Sequence, residues 1–182
     1  MDRSTQTLSH FACKLRYEDL SAEVVHQVKR TLVDTIGCAL GGFHSEPARI
    51  ARALALSSDD ECAARIIGST RRSAPDMAGF ANTTALRYLD FNDSYFSPGG
   101  GHPSDMIPAV LSCADPGRID GRRVICAIVI AYEVFCRISD QVQVTPLGWD
   151  QGLVSVIGAV CGAGHVLGLD QRAMGHAISL AA

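Results

Sequence analysis

Between Asp120 and Ile138 the chain is apolar through its middle, with only Glu133 and Arg137 interrupting its second half. A helix of that composition cannot rest one face on a core and present the other to water. It belongs inside, with other elements around it. The segment from Gly148 to Leu167 is suited to lie against it, because its glycines and alanines let a neighbouring helix approach closely. The chain is therefore expected to fold as a helical bundle around a buried central helix.

The flanking segments supply the rest of the bundle. From Ser21 to Leu40, Val24, Val25, Val28, Leu32, Ile36 and Leu40 recur at helical spacing, with Ser21 as N-cap and Gly41-Gly42 as the stop. A short helix follows Glu46-Pro47 and runs through Ile50 and Leu54. Ala63 to Ile67 reads as a brief strand. A further helix opens near Ser73-Ala74-Pro75-Asp76 and extends toward Asp90, carrying Met77, Phe80, Ala81, Thr84, Ala85 and Tyr88. After a loop of Pro and three glycines, Asp105 is placed as the cap of a helix that accommodates Pro108 in its first turn. Gly168 closes the Gly/Ala-rich helix and Asp170 caps a last one. The fold class is thus mainly all-α, with at most one or two short strands. The last helix has no stop signal before Ala182, which points to a longer architecture or a covering partner.

Composition excludes several functions. The 14 Arg and 2 Lys are scattered among 19 acids for a net charge of −3, so no basic stripe addresses nucleic acid. No apolar run reaches the roughly 20 residues a bilayer needs. The polar stretch Met1–His10 lacks a signal pattern, so a cytoplasmic location is expected. The seven Cys are odd in number, form no C-x-x-C and sit in apolar helical contexts, which reads as buried thiols. There is no G-x-G-x-x-G and no P-loop, so no nucleotide cofactor is expected. Ser155, Ser179 and Cys161 lack a nucleophile elbow, His10, His26 and His44 lack an acid or nucleophile constellation, and His165 and His176, near apolar neighbours on the final helices, read as packed or surface residues.

The unusual segment is LDFNDSYFSPGGGHPSDMIPA, Leu89 to Ala109. Asp90 and Asp93 are three residues apart, which places both carboxylates on one side of a helix end, and His102 follows the Gly-rich loop. Paired acids beside an imidazole suit proton transfer, and the glycines let backbone approach a ligand. The same residues also suit helix termination and local hydrogen bonding. Asp90, Asp93, His102 and Asp105 match no zinc or calcium spacing, so no metal is expected. Asp150, in Trp149-Asp150-Gln151, reads as a helix cap.

Four blocks together resemble the MmgE/PrpD family of 2-methylcitrate dehydratase-like and cis-aconitate decarboxylase-like lyases. They are VKRTLVDTIGCALGG (Val28–Gly42), ARIIGSTRRSAPDMAGFANTTALRYLDFND (Ala64–Asp93), GHPSDMIPAVL (Gly101–Leu111) and GWDQGLVSVIGAVCGAGHVLGLD (Gly148–Asp170). The resemblance implies that residues 1–182 are a helical N-terminal domain, normally followed by a smaller α/β domain and usually dimeric. It also implies chemistry next to a carboxylate of a tricarboxylate, without metal or nucleotide: loss of water, loss of carbon dioxide, or epimerisation. Asp90 matches the first acid of the family's L-D-F-D-D motif and His102 the His of its H-P-S block, giving the candidate catalytic pair. Asp93, Ser94 and Gln151 are the candidate substrate-binding residues. Asn92 stands where many relatives carry Asp, the 90–102 loop is about two residues longer than in the decarboxylase, and no His occurs at 149–151. Family members run well over twice this length, and the lysines and tyrosine of their sites come from later in the chain. The expectation is a portion of a lyase, with a dehydratase favoured, that associates as a homodimer or with a chain supplying the missing part. The alternative is a non-catalytic helical subunit packing on a partner.

Overall fold

A computed structural model describes residues 1–117 and 119–182. Its helices are α1 (Arg3–Lys14), α2 (Ala22–Gly42), α3 (Glu46–Leu54), α4 (Pro75–Arg87), α5 (Ile107–Ala114), α6 (Gly121–Ser139), α7 (Gly152–Leu167) and α8 (Gln171–Ala181). A two-residue hairpin pairs β1 (Ala64–Arg65) with antiparallel β2 (Arg72–Ser73). The fold is mainly all-α, as the hydrophobic periodicity predicts.

The central helix is α6. Ile128, Ile130, Ala131 and Phe135 are buried completely or nearly so, and each large apolar side chain among them contributes about 1.5–3 kcal/mol of burial. One face joins Val25 and Val28 of α2, Val110 of α5 and Val166 of α7. Another joins Ala12 of α1, Cys161 of α7, and Met174 and Ile178 of α8. Its most extensive partner is α7. A Cβ at Gly158 would lie 2.4 Å from Met106 Sδ and 2.8 Å from the Ala131 carbonyl oxygen, and one at Gly162 would lie 2.8 Å from the Ala127 carbonyl oxygen. These glycines are therefore spacers that bring two backbones together.

Several boundaries differ from expectation for physical reasons. Residues 3–14, where the sequence pattern predicts nothing, form α1. Asp2 caps it by accepting the Thr5 N–H at 3.0 Å, and the buried positions are Thr5, Ser9 and Ala12 rather than aliphatic residues. Ser21 caps α2 as expected, but Gly41 and Gly42 lie inside that helix. A Cβ at Gly42 would meet the Ala85 carbonyl oxygen at 2.0 Å, so the glycine permits the crossing of α2 over α4. Asp105 is not a cap: α5 continues out of a 3-10 turn, Pro103–Met106, and no side chain caps its start. Helix α7 begins at Gly152 rather than Gly148, which sits at φ +83° at the end of another short turn. The N-cap position of α7 falls on Gln151, which makes no side-chain cap, and Asp150 one residue ahead accepts the Gly152 N–H at 2.8 Å.

All seven cysteines are free, and only Cys62 is exposed. Burial pushes the Cys136 thiol up to about 11 and the Cys161 thiol up to about 12. His165 is half-buried and takes a structural place: its Nδ1 lies 2.7 Å from the Ala12 carbonyl oxygen while Arg123 donates to its own carbonyl, tying α1, α6 and α7 together. Among the described residues no helix is long and apolar enough to cross a membrane.

The spacer role of Gly158 gives a direct test. On propensity alone, Gly158→Ala should stabilise an exposed helix by about 1 kcal/mol. Here overpacking against Met106 and Ala131 should outweigh that gain and lower the unfolding free energy by about 1–3 kcal/mol, seen as a reduced urea midpoint.

Candidate functional site

The site is assembled from the end of α4, the loop that follows it, the 3-10 turn ahead of α5, and the residue preceding α7. Helix α4 stops at Arg87, so Asp90 and Asp93 lie beyond the helix and do not share one side of its end. Among the described residues Asp90 is the one non-glycine with positive φ, at +49°. Aspartate tolerates this left-handed conformation better than most residues, but it still carries strain of about 1 kcal/mol or more.

The loop closes on itself. Tyr95 and Gly101 exchange backbone hydrogen bonds of 2.7 and 3.0 Å, and the Gly99 N–H donates to the Ser139 carbonyl at 2.7 Å. The triple glycine serves this backbone packing: a Cβ on Gly99 would fall 2.2 Å from the Val142 carbonyl oxygen. Gly101, at φ +151°, has no room for a Cβ because Gln151 and Phe135 stand there.

That arrangement delivers His102 in a defined state. Gln151 Oε1 accepts the His102 backbone N–H at 2.5 Å, and His102 Nδ1 lies 2.7 Å from the Asp93 carbonyl oxygen. A carbonyl oxygen only accepts, so Nδ1 carries a hydrogen, and in the neutral imidazole the lone pair is therefore on Nε2. Nε2 stands 3.7 Å from Asp90 Oδ1, longer than a hydrogen bond. Asp90 is 71% exposed at its side chain whereas His102 is 22% exposed, so the pair sits at the surface with the ring recessed.

The other candidates take different places. Both carboxylate oxygens of Asp93 are engaged by the protein: Oδ1 accepts the Ser104 N–H at 3.0 Å and Oδ2 accepts the Tyr132 hydroxyl at 2.8 Å. Ser94 is exposed, with its Oγ 3.4 Å from His102 Nδ1. Gln151 has committed its carbonyl to the His102 backbone, which leaves its amide NH₂ as the group it can offer a ligand. Asn92, only 6% exposed, points inward. Its oxygen accepts from Arg87 Nη1 at 2.9 Å, and its nitrogen donates to Ser104 Oγ at 2.8 Å and to Asp105 Oδ1 at 3.0 Å.

Two residues emerge that the sequence reading does not single out. Arg87, whose Nη1 is 2.9 Å from Asp90 Oδ1 and whose Nε is 3.4 Å from Asp105 Oδ2, is the cation of the cluster. Its i,i+3 spacing to Asp90 is the signal that could have revealed it. Tyr132 lies 39 positions from Asp93, and no local pattern announces that contact. Burial, reinforced by the Asp93 carboxylate, pushes its phenol far above its ordinary range.

A groove of about 400 Å³ between α2 and α6, walled by Val24, Val28, Val129 and Tyr132, opens beside Asp93 and Ser94. A wider cleft of about 680 Å³, bordered by Lys29 and Arg30 of α2, also reaches Asp93. Among the described residues no group of three or more His, Cys, Asp or Glu is placed to hold a metal ion.

The model of the MmgE/PrpD N-terminal domain matches residues 6–182. The chain is 28% identical to a 2-methylcitrate dehydratase of Cupriavidus necator over 91% of its own length and 37% of that protein's. It is also 28% identical to a cis-aconitate decarboxylase of Aspergillus terreus, over 97% of the chain and 38% of the relative. A 2-methylcitrate dehydratase of Escherichia coli K12 is 24% identical over 92% of the chain and 37% of the relative. The chain thus spans under two fifths of the length of these relatives.

Asp105 gives the site a measurable pH signature. Burial pushes its carboxyl up to about 6 from 3.8, against the opposing pull of Arg87, Asn92 and His102. With the folded value raised, its contribution to stability is fully present below about pH 4 and is lost as the pH rises through about 6. Relative to the non-titrating variant Asp105→Asn, the parent protein should therefore lose on the order of 2–3 kcal/mol of unfolding free energy between pH 4 and pH 7. Urea midpoints at the two pH values measure this difference.

Proposed function

The chain belongs to the MmgE/PrpD family through its N-terminal domain, and on that premise we propose that it carries the proton-transfer half of a lyase acting on a tricarboxylate. The observation that carries this reading is the hydrogen bond from His102 Nδ1 to the Asp93 carbonyl, which leaves Nε2 as a base beside Asp90. In the proposed reaction Nε2 takes the proton from the carbon alpha to a substrate carboxylate, and the electron pair left on that carbon is delocalised into the carboxylate. In a dehydration the pair then forms the C=C bond as the β C–O bond breaks, and the imidazolium returns its proton to the departing hydroxide, so that water leaves. Asp90 stabilises the imidazolium during the interval when it holds the proton. Ser94 and the Gln151 amide are the neutral donors proposed to orient substrate carboxylates.

A trianion also needs cations where charge develops. Lys29 and Arg30 border the cleft that reaches Asp93. In this reading further cations come from outside these 182 residues, from a following segment or from another subunit. The names of the relatives, 2-methylcitrate dehydratase and cis-aconitate decarboxylase, support a tricarboxylate-class substrate, and dehydration is favoured.

The test is a proton NMR time course in D₂O with citrate, 2-methylcitrate and cis-aconitate. It is run on the chain alone and on the chain combined with the C-terminal portion of a relative. Alpha-proton exchange or new vinyl signals are expected. Replacing His102 by Ala should slow them by about 10²-fold or more, and Asp90→Asn by a smaller factor. An active preparation that loses nothing when His102 becomes Ala overturns the assignment.

A further inference from the structure

Of the three groups that meet around Arg87, two are held by the interior and one is not. Asn92 is buried, and its carboxamide can face only one way, because Arg87 can only donate to it and Asp105 can only accept from it. Asp105, 17% exposed at its side chain, receives the guanidinium through Nε at 3.4 Å. These contacts set the plane of the Arg87 fork from its inner side. The same Nη1 that donates to Asn92 then donates outward to Asp90 at 2.9 Å.

Asp90 is the opposite case. It is exposed, lies on a loop and has its backbone at φ +49°. An exposed ion pair three residues apart contributes little when both side chains must be ordered to form it. Here the arginine is already ordered by buried partners, so only the short aspartate side chain loses freedom on pairing.

We propose that Arg87, seated by Asn92 and Asp105, is the positioning residue that holds the Asp90 carboxylate in front of His102 Nε2. The inference rests on the functional reading above for its relevance to catalysis, although the tether itself is a property of the folded chain. Arg87 needs no contact with substrate in this role. Its fork addresses Asp105 along Nε and both Asn92 and Asp90 along Nη1, which a lysine ammonium cannot reproduce from a single point.

The test compares the purified chain with Arg87→Met, which keeps much of the stem, with Arg87→Lys, which keeps the charge, and with Asp105→Asn, which keeps the arginine but loosens its seat. Methyl NMR dispersion shows whether each variant is folded. The first readout is the intraresidue HN–Hα NOE of Asp90, which is strong when φ is positive. It is expected to fall to the level of its neighbours in R87M, to stay low in R87K and to weaken in D105N. The second readout is the alpha-proton exchange assay, in which R87M is expected to lower kcat at least tenfold with KM within about twofold, as loss of alignment rather than of binding requires. A wild-type NOE at Asp90 in a folded R87M or D105N overturns the inference, as does full rescue of both readouts by R87K. If R87M does not fold, D105N decides on its own. If exchange depends on His102 but not on Arg87, the functional reading stands and the tether has no catalytic role. If no variant shows exchange, the functional reading fails while the NOE still decides whether Arg87 places Asp90.

Discussion

At two points, Gly158 and Gly162, α7 lies against α6 with no Cβ intervening, and the place of the polar cluster follows from that contact. The space left at Gly158 is filled by Met106, the last residue of the 3-10 turn that begins just after His102. Met106, Ala131, Phe135 and Val154 form one apolar cluster, so the turn is seated on the α6–α7 seam and not merely adjacent to it. The same seam brings Gln151, one residue ahead of α7, to the His102 backbone. The imidazole is thus oriented from below by hydrophobic packing and from the sides by two hydrogen bonds. Buried apolar contact is non-directional, and hydrogen bonds supply the direction.

The polar cluster above this floor depends on one carboxamide. At position 92 a side chain must accept from Arg87 and donate to both Ser104 and Asp105, and asparagine meets all three demands within its planar group. An aspartate in the same pose would present oxygen to the Asp105 carboxylate and would add a buried like charge. The Asn-for-Asp difference is therefore answered inside the molecule by its hydrogen-bond partners. It does not bear directly on what the exposed Asp90 and the recessed His102 ring meet in solvent.

How much of this was legible in the residues depends on the range of the interaction. Helical periodicity gave α2, α6 and α8, with the caps Ser21 of α2 and Asp170 of α8, because caps and apolar faces are written within a few positions. It missed α1, whose buried face is made of Thr5, Ser9 and Ala12 and carries no aliphatic signal. Glycine was ambiguous. Gly168 ends a helix at φ +73°, as glycine after a helix suggests, whereas Gly42 sits within one because a neighbouring backbone leaves no room for a methyl group. At the site, the motif resemblance brought Asp90 and His102 forward, and they do face each other. The inward turn of Asn92, the grip of Tyr132 on Asp93 and the use of Asp105 as a seat rather than a cap all depend on contacts between separate elements, which a single sequence does not display.

The packing of α1 on α8 and α7 also governs the order in which the chain can mature. The Cys13 thiol contacts the Leu169 carbonyl and His165 reaches the Ala12 carbonyl, pairings separated by 156 and 153 positions. Contacts of such long range close late, since the entropy of the intervening chain opposes them until other structure has formed. At roughly 5–20 residues per second, a ribosome needs about 8–30 s to deliver the residues between the two sides. Until that interval ends the apolar side of α1, with Leu8 and Phe11, lacks Met174 and Ile178 of α8 from its cover. Within these 182 residues α1 is thus made before the helices that cover it, and until α7 and α8 arrive its apolar side is open to chaperones and to aggregation.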